Sequence, residues 1–421
     1  MRIGASVSLI TAALAIPPAS ADSVSDFYRG KLVTVYVGYS VGGGYDLYAR
    51  TLARHMGRNI PGNPEFVVKN RPGAGSLVLA NEIYNTHPKD GTAFGTVGRG
   101  VVMEPMFGNK KALFDATKYT WLGSMNNEVS LCVSWHTTNI KSVDDMFKKR
   151  FIVGGTGRGS DTDAFPLVFN NILGASMKLV TGYPGGNDIN FAMERGEVHG
   201  RCAWSWSSIK STRANWLRDK KINLLLQMST AKHPELPNVP FVMDFAKTDR
   251  ERQILSIIYA RQVWGRPFMA PPGLPADRAK ALQKAFMDTM GDPVFLAEAK
   301  KIKLDLAPVS GPEVQKLIAD LAATPKKLMA AAAAATLNRS KTDIDKAVIP
   351  IESLSGTILK IKRGGRSVTI GRGGKKQKVK VSGRRTQILI GGAKKKRKAL
   401  KLGMSCTLTY QGSAAKKINC K

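Results

Sequence analysis

The sequence predicts an α/β protein with parallel, helix-covered sheets, followed by a small all-β barrel or roll. Three observations support this fold class. Between residues 32 and 228, β-branched runs alternate with amphipathic segments, as strands alternate with crossover helices. Four of the strand-like runs lead into glycine-rich loops. After residue 351, short β-branched runs are separated by Gly-Gly and Lys-rich turns, which is typical of about five antiparallel strands.

The N-terminus has the features of a secretory signal. Arg2 is followed by an apolar stretch over residues 4–16, too short to span a membrane comfortably. Ala19 and Ala21 form an A-x-A cleavage site. We therefore expect residues 1–21 to be removed after Ala21 and the mature chain to be exported.

The first strand-like run, at residues 32–37, leads through Gly42, Gly43 and Gly44 into a helical pattern. The N–H groups at a helix N-terminus have no intrahelical partner, and the helix dipole adds partial positive charge there. Asp46, in the first turn, suits a capping role. This stretch is therefore either an ordinary β–α turn or an anion site.

Three more loops of the same kind follow, at residues 70–76, 154–161 and 182–188, each between a strand-like run and a helical one. In parallel sheets, the carboxyl ends of the strands gather at one edge, where ligands bind. The four loops together therefore predict one anion-binding crevice.

The elements after the fourth loop continue the alternation. Strand-like RCAWSW (201–206) and INLLLQM (222–228) flank a helical pattern at 209–217. A Pro-rich loop covers 233–242, and the later helices are predicted at 278–290, 293–301 and 313–335, the last with a break at Pro325.

Four cysteines fit an oxidising compartment. Cys406 and Cys420 are close in sequence, and we predict that they form a disulfide. Cys132 and Cys202 belong to two separate strand-like segments. They pair if those strands are neighbours, and otherwise they are two buried free thiols.

Positive charge is concentrated at the C-terminus. The chain has a formal net charge of +33, and residues 341–421 contain 22 Lys+Arg against 3 Asp+Glu. This basic segment is interpreted in three ways: a surface for anionic lipid headgroups or envelope polysaccharide, a nucleic-acid binder, or a solvated accessory domain. Nucleic acid is disfavoured because the chain is exported and Tyr410 is the one aromatic residue available for base stacking.

Several motifs, in the right order, resemble the Bug-type solute-binding receptors of tripartite tricarboxylate transporters. Residues 39–50 resemble the first ligand loop of that family, and NRPGAG at 70–75 is its most specific motif. PKDG at 88–91, the Pro-rich segment at 231–240 and APPGLPADR at 270–278 also match. The resemblance covers residues 30–335, about three quarters of the chain.

The resemblance implies a two-lobed periplasmic-binding-protein fold of type II-like architecture, in which two lobes close on a small carboxylate. It implies that main-chain N–H groups of the first and third loops hold the carboxylate and that the second loop helps through water. The positions carried over are Tyr39, Gly42, Gly43, Asp46, Ala74, Gly75, Thr156, Gly157, Ser160 and Asp161. The loop positions Ser40, Ser76, Gly185 and Asp188 complete the set of loop candidates.

Four further side chains are candidates from their chemistry. Arg158 and Arg201 could each present a guanidinium to a second ligand carboxylate, or could be solvated or structural arginines. Trp204 and Tyr183 could line the crevice with aromatic surface, or could pack in the core.

Other functional classes lack their motifs. The third loop does not have the G-x-G-x-x-G spacing of a dinucleotide site, no P-loop motif occurs, and Ser160 does not stand in G-x-S-x-G. The five histidines are scattered without metal-ligand spacing. We therefore expect no enzyme, no cofactor and no metal.

We divide the chain into a signal peptide (1–21), lobe 1 (28–130 and 228–335), lobe 2 (131–227), a linker (336–350) and a basic β-domain (351–421). The predicted function is a monomeric periplasmic receptor that delivers a small carboxylate to membrane permease subunits. The alternative is an envelope-binding scaffold that uses the basic domain and has a degenerate cleft. The segment RCAWSW departs from the family pattern and leaves the ligand unidentified.

Overall fold

The computed structural model describes residues 24–348, 351–362, 364–383, 386–412 and 414–421. The predicted signal peptide lies outside these ranges. Within them, no helix combines the length and apolar character needed to cross a membrane.

Residues 24–124 alternate strands and helices, as the pattern predicts. The elements are α1 (Val24–Tyr28), β1 (Leu32–Val37), α2 (Gly44–His55), β2 (Glu65–Asn70), α3 (Leu77–Asn85), β3 (Ala93–Thr96) and β4 (Thr120–Ser124).

The chain then builds a second α/β segment. Its elements are β5 (Ser130–Trp135), α4 (Val143–Lys148), β6 (Phe151–Gly155), α5 (Asp161–Asn171), β7 (Met177–Thr181), α6 (Gly186–Glu194), β8 (Gly200–Ser205), α7 (Trp206–Thr212), α8 (Ala214–Arg218) and β9 (Ile222–Met228). The helix predicted at 209–217 is thus two short helices, and Trp206 begins the first of them instead of ending a strand.

The third segment is mainly helical. It comprises α9 (Asp249–Tyr259), β10 (Pro267–Ala270), α10 (Ala276–Gly291), α11 (Pro293–Lys301), β11 (Val309–Ser310), α12 (Gly311–Ala322), α13 (Lys326–Leu337) and β12 (Ile344–Lys346). Capping boxes at Ser142, Thr248 and Ser310 fix the starts of α4, α9 and α12, because each hydroxyl accepts from the third helical N–H and the acidic residue there reaches back to the cap.

These elements form two six-stranded sheets, one in each lobe. Sheet 1 has the order β11-β4-β10-β3-β1-β2, and sheet 2 has the order β12-β7-β6-β8-β5-β9. The two-lobed α/β fold is therefore confirmed. Both sheets are mixed instead of wholly parallel, because β10 runs antiparallel to β3 and β4, and β5 runs antiparallel to β8 and β9. These antiparallel strands include the segments that carry the chain between the lobes.

The C-terminal part of the third segment packs on the second lobe. The Asn171 side chain, at the end of α5, donates to the carbonyls of Ala335 and Asn338 at 3.0 and 2.9 Å. β12 pairs with β7 in parallel. Residues 344–346, which the sequence assigns to a linker, are therefore an edge strand of sheet 2.

The remaining strands form the small β-domain that the sequence predicts, here called the barrel. They are β13 (Ile351–Lys362), β14 (Ser367–Arg372), β15 (Lys375–Lys380), β16 (Gln387–Ile390), β17 (Ala393–Lys394), β18 (Ser405–Gln411) and β19 (Ala414–Cys420).

Five of these strands close a ring in the order β15-β14-β13-β18-β19. The last contact of the ring is a parallel pairing of Lys380 with Ala414. β16 continues along the same edge of β19, also in parallel. The expected count of about five strands fits the ring, but two parallel pairings replace the purely antiparallel arrangement. Alternating side chains such as Val368, Ile370 and Ile418 fill its core.

Both cysteine pairs are disulfides. Cys132 on β5 is bonded to Cys202 on β8, and these strands are neighbours in sheet 2. Cys406 on β18 is bonded to Cys420 on β19, opposite each other in the register. The Cys406–Cys420 prediction is confirmed, and for Cys132 and Cys202 the paired alternative holds over two free thiols.

Replacing Cys406 and Cys420 by alanine should destabilise the barrel. The bond closes a loop with a sequence separation of 14 residues, and a loop of that size is worth about 3 kcal/mol in the chain-entropy account. Hydrogen exchange followed by mass spectrometry should find faster exchange in β18 and β19. The matched control, alanine at Cys132 and Cys202, should raise exchange in β5 and β8 only. Unchanged exchange in the barrel of the first variant would contradict the expectation.

Candidate functional site

The glycine loops of the two lobes meet around one cavity of about 60 Å³, which suits a small solute. Two helices begin at its wall: α2, after Gly43, and α6, after Gly185. Neither helix has a side chain that caps its N-terminus. Asp46 and Asp188 stand in the first turns and offset part of the dipole charge, so it is mainly the first N–H groups of the two helices that make the wall attractive to an anion.

Backbone contacts join the lobes beside this cavity. The Gly75 N–H donates to the Thr156 carbonyl at 3.0 Å, and the Ser40 N–H donates to the Pro184 carbonyl at 3.2 Å. A Cβ on Gly75 would lie 2.8 Å from the Ser160 Cβ, and the Gly75 φ of +63° also favours glycine. Glycine is required there because one backbone approaches the other so closely.

A side-chain hydrogen bond reinforces this joint. The Ser40 hydroxyl donates to the Asp188 carboxylate at 2.6 Å. Burial raises the pKa of Asp188, and the hydrogen bond from Ser40 opposes that rise. The lobes are therefore closed on the cavity.

Several loop N–H groups expected to bind a ligand are bonded within the protein. The Gly42 N–H donates to the Asp46 carboxylate at 3.0 Å. The Thr156 N–H donates to the Thr162 hydroxyl at 3.0 Å, and the Gly157 N–H donates to the Asp163 carboxylate at 2.9 Å. Because the first turn of α5 supplies these acceptors, the third loop is organised from inside the protein.

The structure brings eight of the eighteen candidate binding residues to the cavity wall. They are Tyr39, Gly42, Gly43, Thr156, Ser160, Asp161, Arg201 and Trp204. The remaining ten lie elsewhere: Ser40, Asp46, Ala74, Gly75, Ser76, Gly157, Arg158, Tyr183, Gly185 and Asp188.

Most of the ten support the wall from behind. Asp46 accepts from Arg50 and Asn70, and the Ser76 hydroxyl accepts from the Gly98 N–H at 2.7 Å. The other two, Arg158 and Tyr183, do not contribute to the wall. Arg158 is exposed at the surface, and Tyr183 is buried in the apolar cluster beneath α6.

Arg201 has an unusual environment for a cation. Its side chain is 5% exposed, and Nη1 donates to the Gly186 carbonyl at 2.7 Å and to Asn190 Oδ1 at 3.1 Å. The guanidinium lies 4.8 Å from the ring centre of Trp204. Among the described residues it forms no ion pair, and Nε has no hydrogen-bond partner.

Burial and the nearby charge of Arg213 lower the pKa of Arg201 to about 9. The shift reflects a positive charge that the folded protein leaves largely uncompensated. An anion in the cavity would supply the missing partner.

Two other arginines at the wall are neutralised. Arg99 Nε lies 2.7 Å from Asp161 Oδ2, and Arg266 Nε lies 2.9 Å from Glu128 Oε1. Arg261, behind the wall, also contacts Asp161 at 3.1 Å. Arg99 and Arg261 thus share one carboxylate, Arg266 has its own, and Arg201 is the arginine of the wall without an acidic partner in the described chain.

Sequence reasoning missed Arg99 and Arg266. Arg99 comes three residues after the end of β3, so the rule that locates the glycine loops at strand ends also applies to it. Arg266 precedes the antiparallel strand β10, and no local signal marks it. The other lining residues not predicted are Gly44, Tyr45, Gly98, Thr162, Gly186, Asn187, Asn190, Ala203, Ser205, Ser208 and Thr212.

No three His, Cys, Asp or Glu side chains of the described ranges are arranged to hold a metal ion. The cavity wall itself is polar and basic, with aromatic surface from Tyr39, Tyr45 and Trp204. It is suited to binding an anion with some apolar surface.

No protein-family model matches this sequence, and no curated protein matches it. Solved structures do. BugD, a periplasmic binding protein, is 17% identical over 72% of this chain and 98% of that chain, with a TM-score of 0.57. Rpa4515 of R. palustris, solved with adipate, is 18% identical over 72% of this chain and 97% of that chain, TM-score 0.57. MatC from Rhodopseudomonas palustris, solved with bound malate, is 16% identical over 71% of this chain and 99% of that chain, with a TM-score of 0.56.

The fold of this chain is the two-lobed architecture of periplasmic binding proteins. The solved structures that share it include BugD and MatC, receptors of the Bug type. The resemblance drawn from the loop motifs is confirmed at the level of the fold.

Replacing Asp161 by alanine should destabilise the chain by about 3–5 kcal/mol, because Arg99 and Arg261 would both lose a buried counter-charge. Chemical denaturation of the full chain measures the effect. The control is Asp144→Ala, which breaks an exposed pair with Lys148 and should cost less than about 1 kcal/mol. Equal costs for the two variants would contradict this account of the buried pairs.

Proposed function

We propose that this chain is a solute-binding receptor that captures a small organic anion, of the carboxylate class, between its two lobes. The observation that carries the proposal is Arg201, a buried guanidinium at the cavity wall without a carboxylate partner in the described chain. An unpaired buried charge is costly, and such a cost is retained where a ligand relieves it.

Two helix N-termini support the same ligand class. α2 and α6 start on opposite lobes, so an anion between them interacts with both dipoles only when the lobes are closed. Binding would therefore favour the closed form, which the contacts of Ser40 with Pro184 and Asp188 hold together.

The binding mode that we propose differs from the one the family resemblance implies. The amides of Thr156 and Gly157 are engaged by side chains of α5, so the third loop contributes a shaped wall. The main charge contact comes from Arg201, and the N-terminal amides of α2 and α6 complete the site.

The structural neighbours support the carboxylate class. MatC was solved with malate and Rpa4515 with adipate. By analogy, this chain would work in the periplasm, as a monomer, and deliver its solute to membrane permease subunits. The predicted signal peptide agrees with that location.

We propose a role without catalysis. Among the residues that line the cavity, Asp161 is the one carboxylate, and two arginines occupy its oxygens. It is therefore a poor general base. The other groups that line the cavity can bind and release a solute.

Arg201→Gln should weaken solute binding by at least about 30-fold, since removing one partner of a buried charge contact costs 2 kcal/mol or more. The probes are malate, adipate and other short carboxylates, measured by calorimetry on the full chain. Arg158→Gln is the matched control, because that arginine is exposed and lies away from the cavity. Its affinities should equal those of the unmodified chain.

The same variant should raise the thermal midpoint of the unliganded protein, because it removes an uncompensated buried charge. A lower midpoint would mean that Arg201 is structural. If the unmodified chain binds no carboxylate of the panel, the receptor proposal fails and the scaffold with a degenerate cleft is favoured.

A further inference from the structure

We propose that the barrel docks the protein on a membrane surface rich in anionic phospholipid. This inference is independent of the solute site. Its first support is charge: no acidic residue follows Glu352, and the lysines of the barrel strands are largely exposed. Such a domain is attracted to any surface of negative charge.

The strand register gathers part of this charge on one face. Lys360 on β13 pairs with Thr369 on β14, and Thr369 pairs with Lys378 on β15. Lys362 on β13 and Lys376 on β15 extend the two rows, and the β15 row ends at Lys380, whose Nζ lies 3.5 Å from the Asn70 carbonyl of lobe 1. Strands are about 4.8 Å apart, so the two lysine rows are about 10 Å apart, with only short Ser and Thr side chains between them.

The second support is apolar. Leu359 is 46% exposed and Leu402 is 65% exposed. The Gly403 N–H donates to the Ile358 carbonyl at 3.0 Å. Leu359 follows Ile358 and Leu402 precedes Gly403, so this hydrogen bond brings the two leucines close together. Leu359 sits in a register shift of β13, which releases it from the pairing pattern.

Each exposed leucine has a lysine as its neighbour in sequence, Lys360 and Lys401. Leucines at the edge of a basic face are the arrangement by which proteins enter the headgroup region, because the leucines reach the acyl chains while the lysines contact phosphate. A soluble polyanion offers no apolar region in which the two leucines could be buried.

The barrel is poorly suited to nucleic acid. Tyr410 is the one aromatic residue of this domain, and its hydroxyl donates to the Glu352 carboxylate at 2.8 Å. Base stacking is therefore scarcely provided for. An anionic bilayer matches both the lysines and the leucines.

The experiment is flotation of the full chain with phosphatidylcholine vesicles, with and without phosphatidylglycerol. We expect binding only with phosphatidylglycerol, decreasing as salt rises. Replacing Lys360, Lys362, Lys376 and Lys378 by glutamine should weaken binding about 600-fold, since each lysine near the surface contributes about fivefold. Leu359→Ser with Leu402→Ser should weaken it about tenfold or more.

Matched controls lie on the lobes. Lys110, Lys111, Lys300 and Lys301 are exposed and are changed together to glutamine, and Leu113 and Leu296 are exposed and are changed to serine. These variants should bind like the unmodified chain. An unchanged circular dichroism spectrum of the barrel variants separates loss of docking from misfolding.

Three results would overturn the proposal. One is absence of binding to phosphatidylglycerol vesicles. Another is an equal loss in the lobe controls, which would mean that net charge alone acts. The third is tighter binding to soluble polyphosphate or DNA with no effect of the leucine changes, which would assign the barrel to a polyanion instead.

Discussion

The close approach of two backbones at Gly75 and Thr156 determines where the cavity lies. A hydrogen bond of 3.0 Å joins the second loop of one lobe to the third loop of the other. A side chain at Gly75 would meet Ser160, and one at Gly157, with φ of +123°, would meet the Gly75 amide at 2.9 Å. The two glycines therefore set the distance between the lobes, and through it the distance between α2 and α6.

Charge at the cavity is arranged in two ways. Arg99 and Arg261 share the carboxylate of Asp161, and Arg266 pairs with Glu128, so these arginines are tied into the wall by ion pairs. Arg201 has polar neutral partners and an aromatic ring instead. The arginines around the cavity thus fall into two groups: those in ion pairs within the protein, and Arg201, which has no acidic partner among the described residues. The difference is whether the neighbouring strand or helix supplies an acidic side chain.

The sequence predicted those features that depend on neighbouring residues along the chain. β1, the glycines and α2 follow each other directly, and parallel strands must bring such loops to one edge. Arg201 was a candidate because its guanidinium could present a fork of donors to a ligand carboxylate. The acceptor for each amide was not predictable, because Thr162 and Asp163 reach back from α5 to the loop only after folding. The same holds for Arg266, which reaches the wall from the residue before the antiparallel strand β10, and for α13, which packs on α5 far earlier in the chain.

The cavity and the barrel differ in their exposure to solvent, and this determines how strongly salt weakens the attraction of each for an anion. Arg201 is enclosed, so its interaction with a solute is strengthened by low dielectric and little affected by ions in solution. The lysines of the barrel are exposed, so their attraction acts over about 10 Å and weakens with salt. A small anion is selected by shape and by contact with one guanidinium, whereas an extended surface is selected by the number of charges. On these two proposals, one basic protein would bind two kinds of anionic partner without one competing for the site of the other.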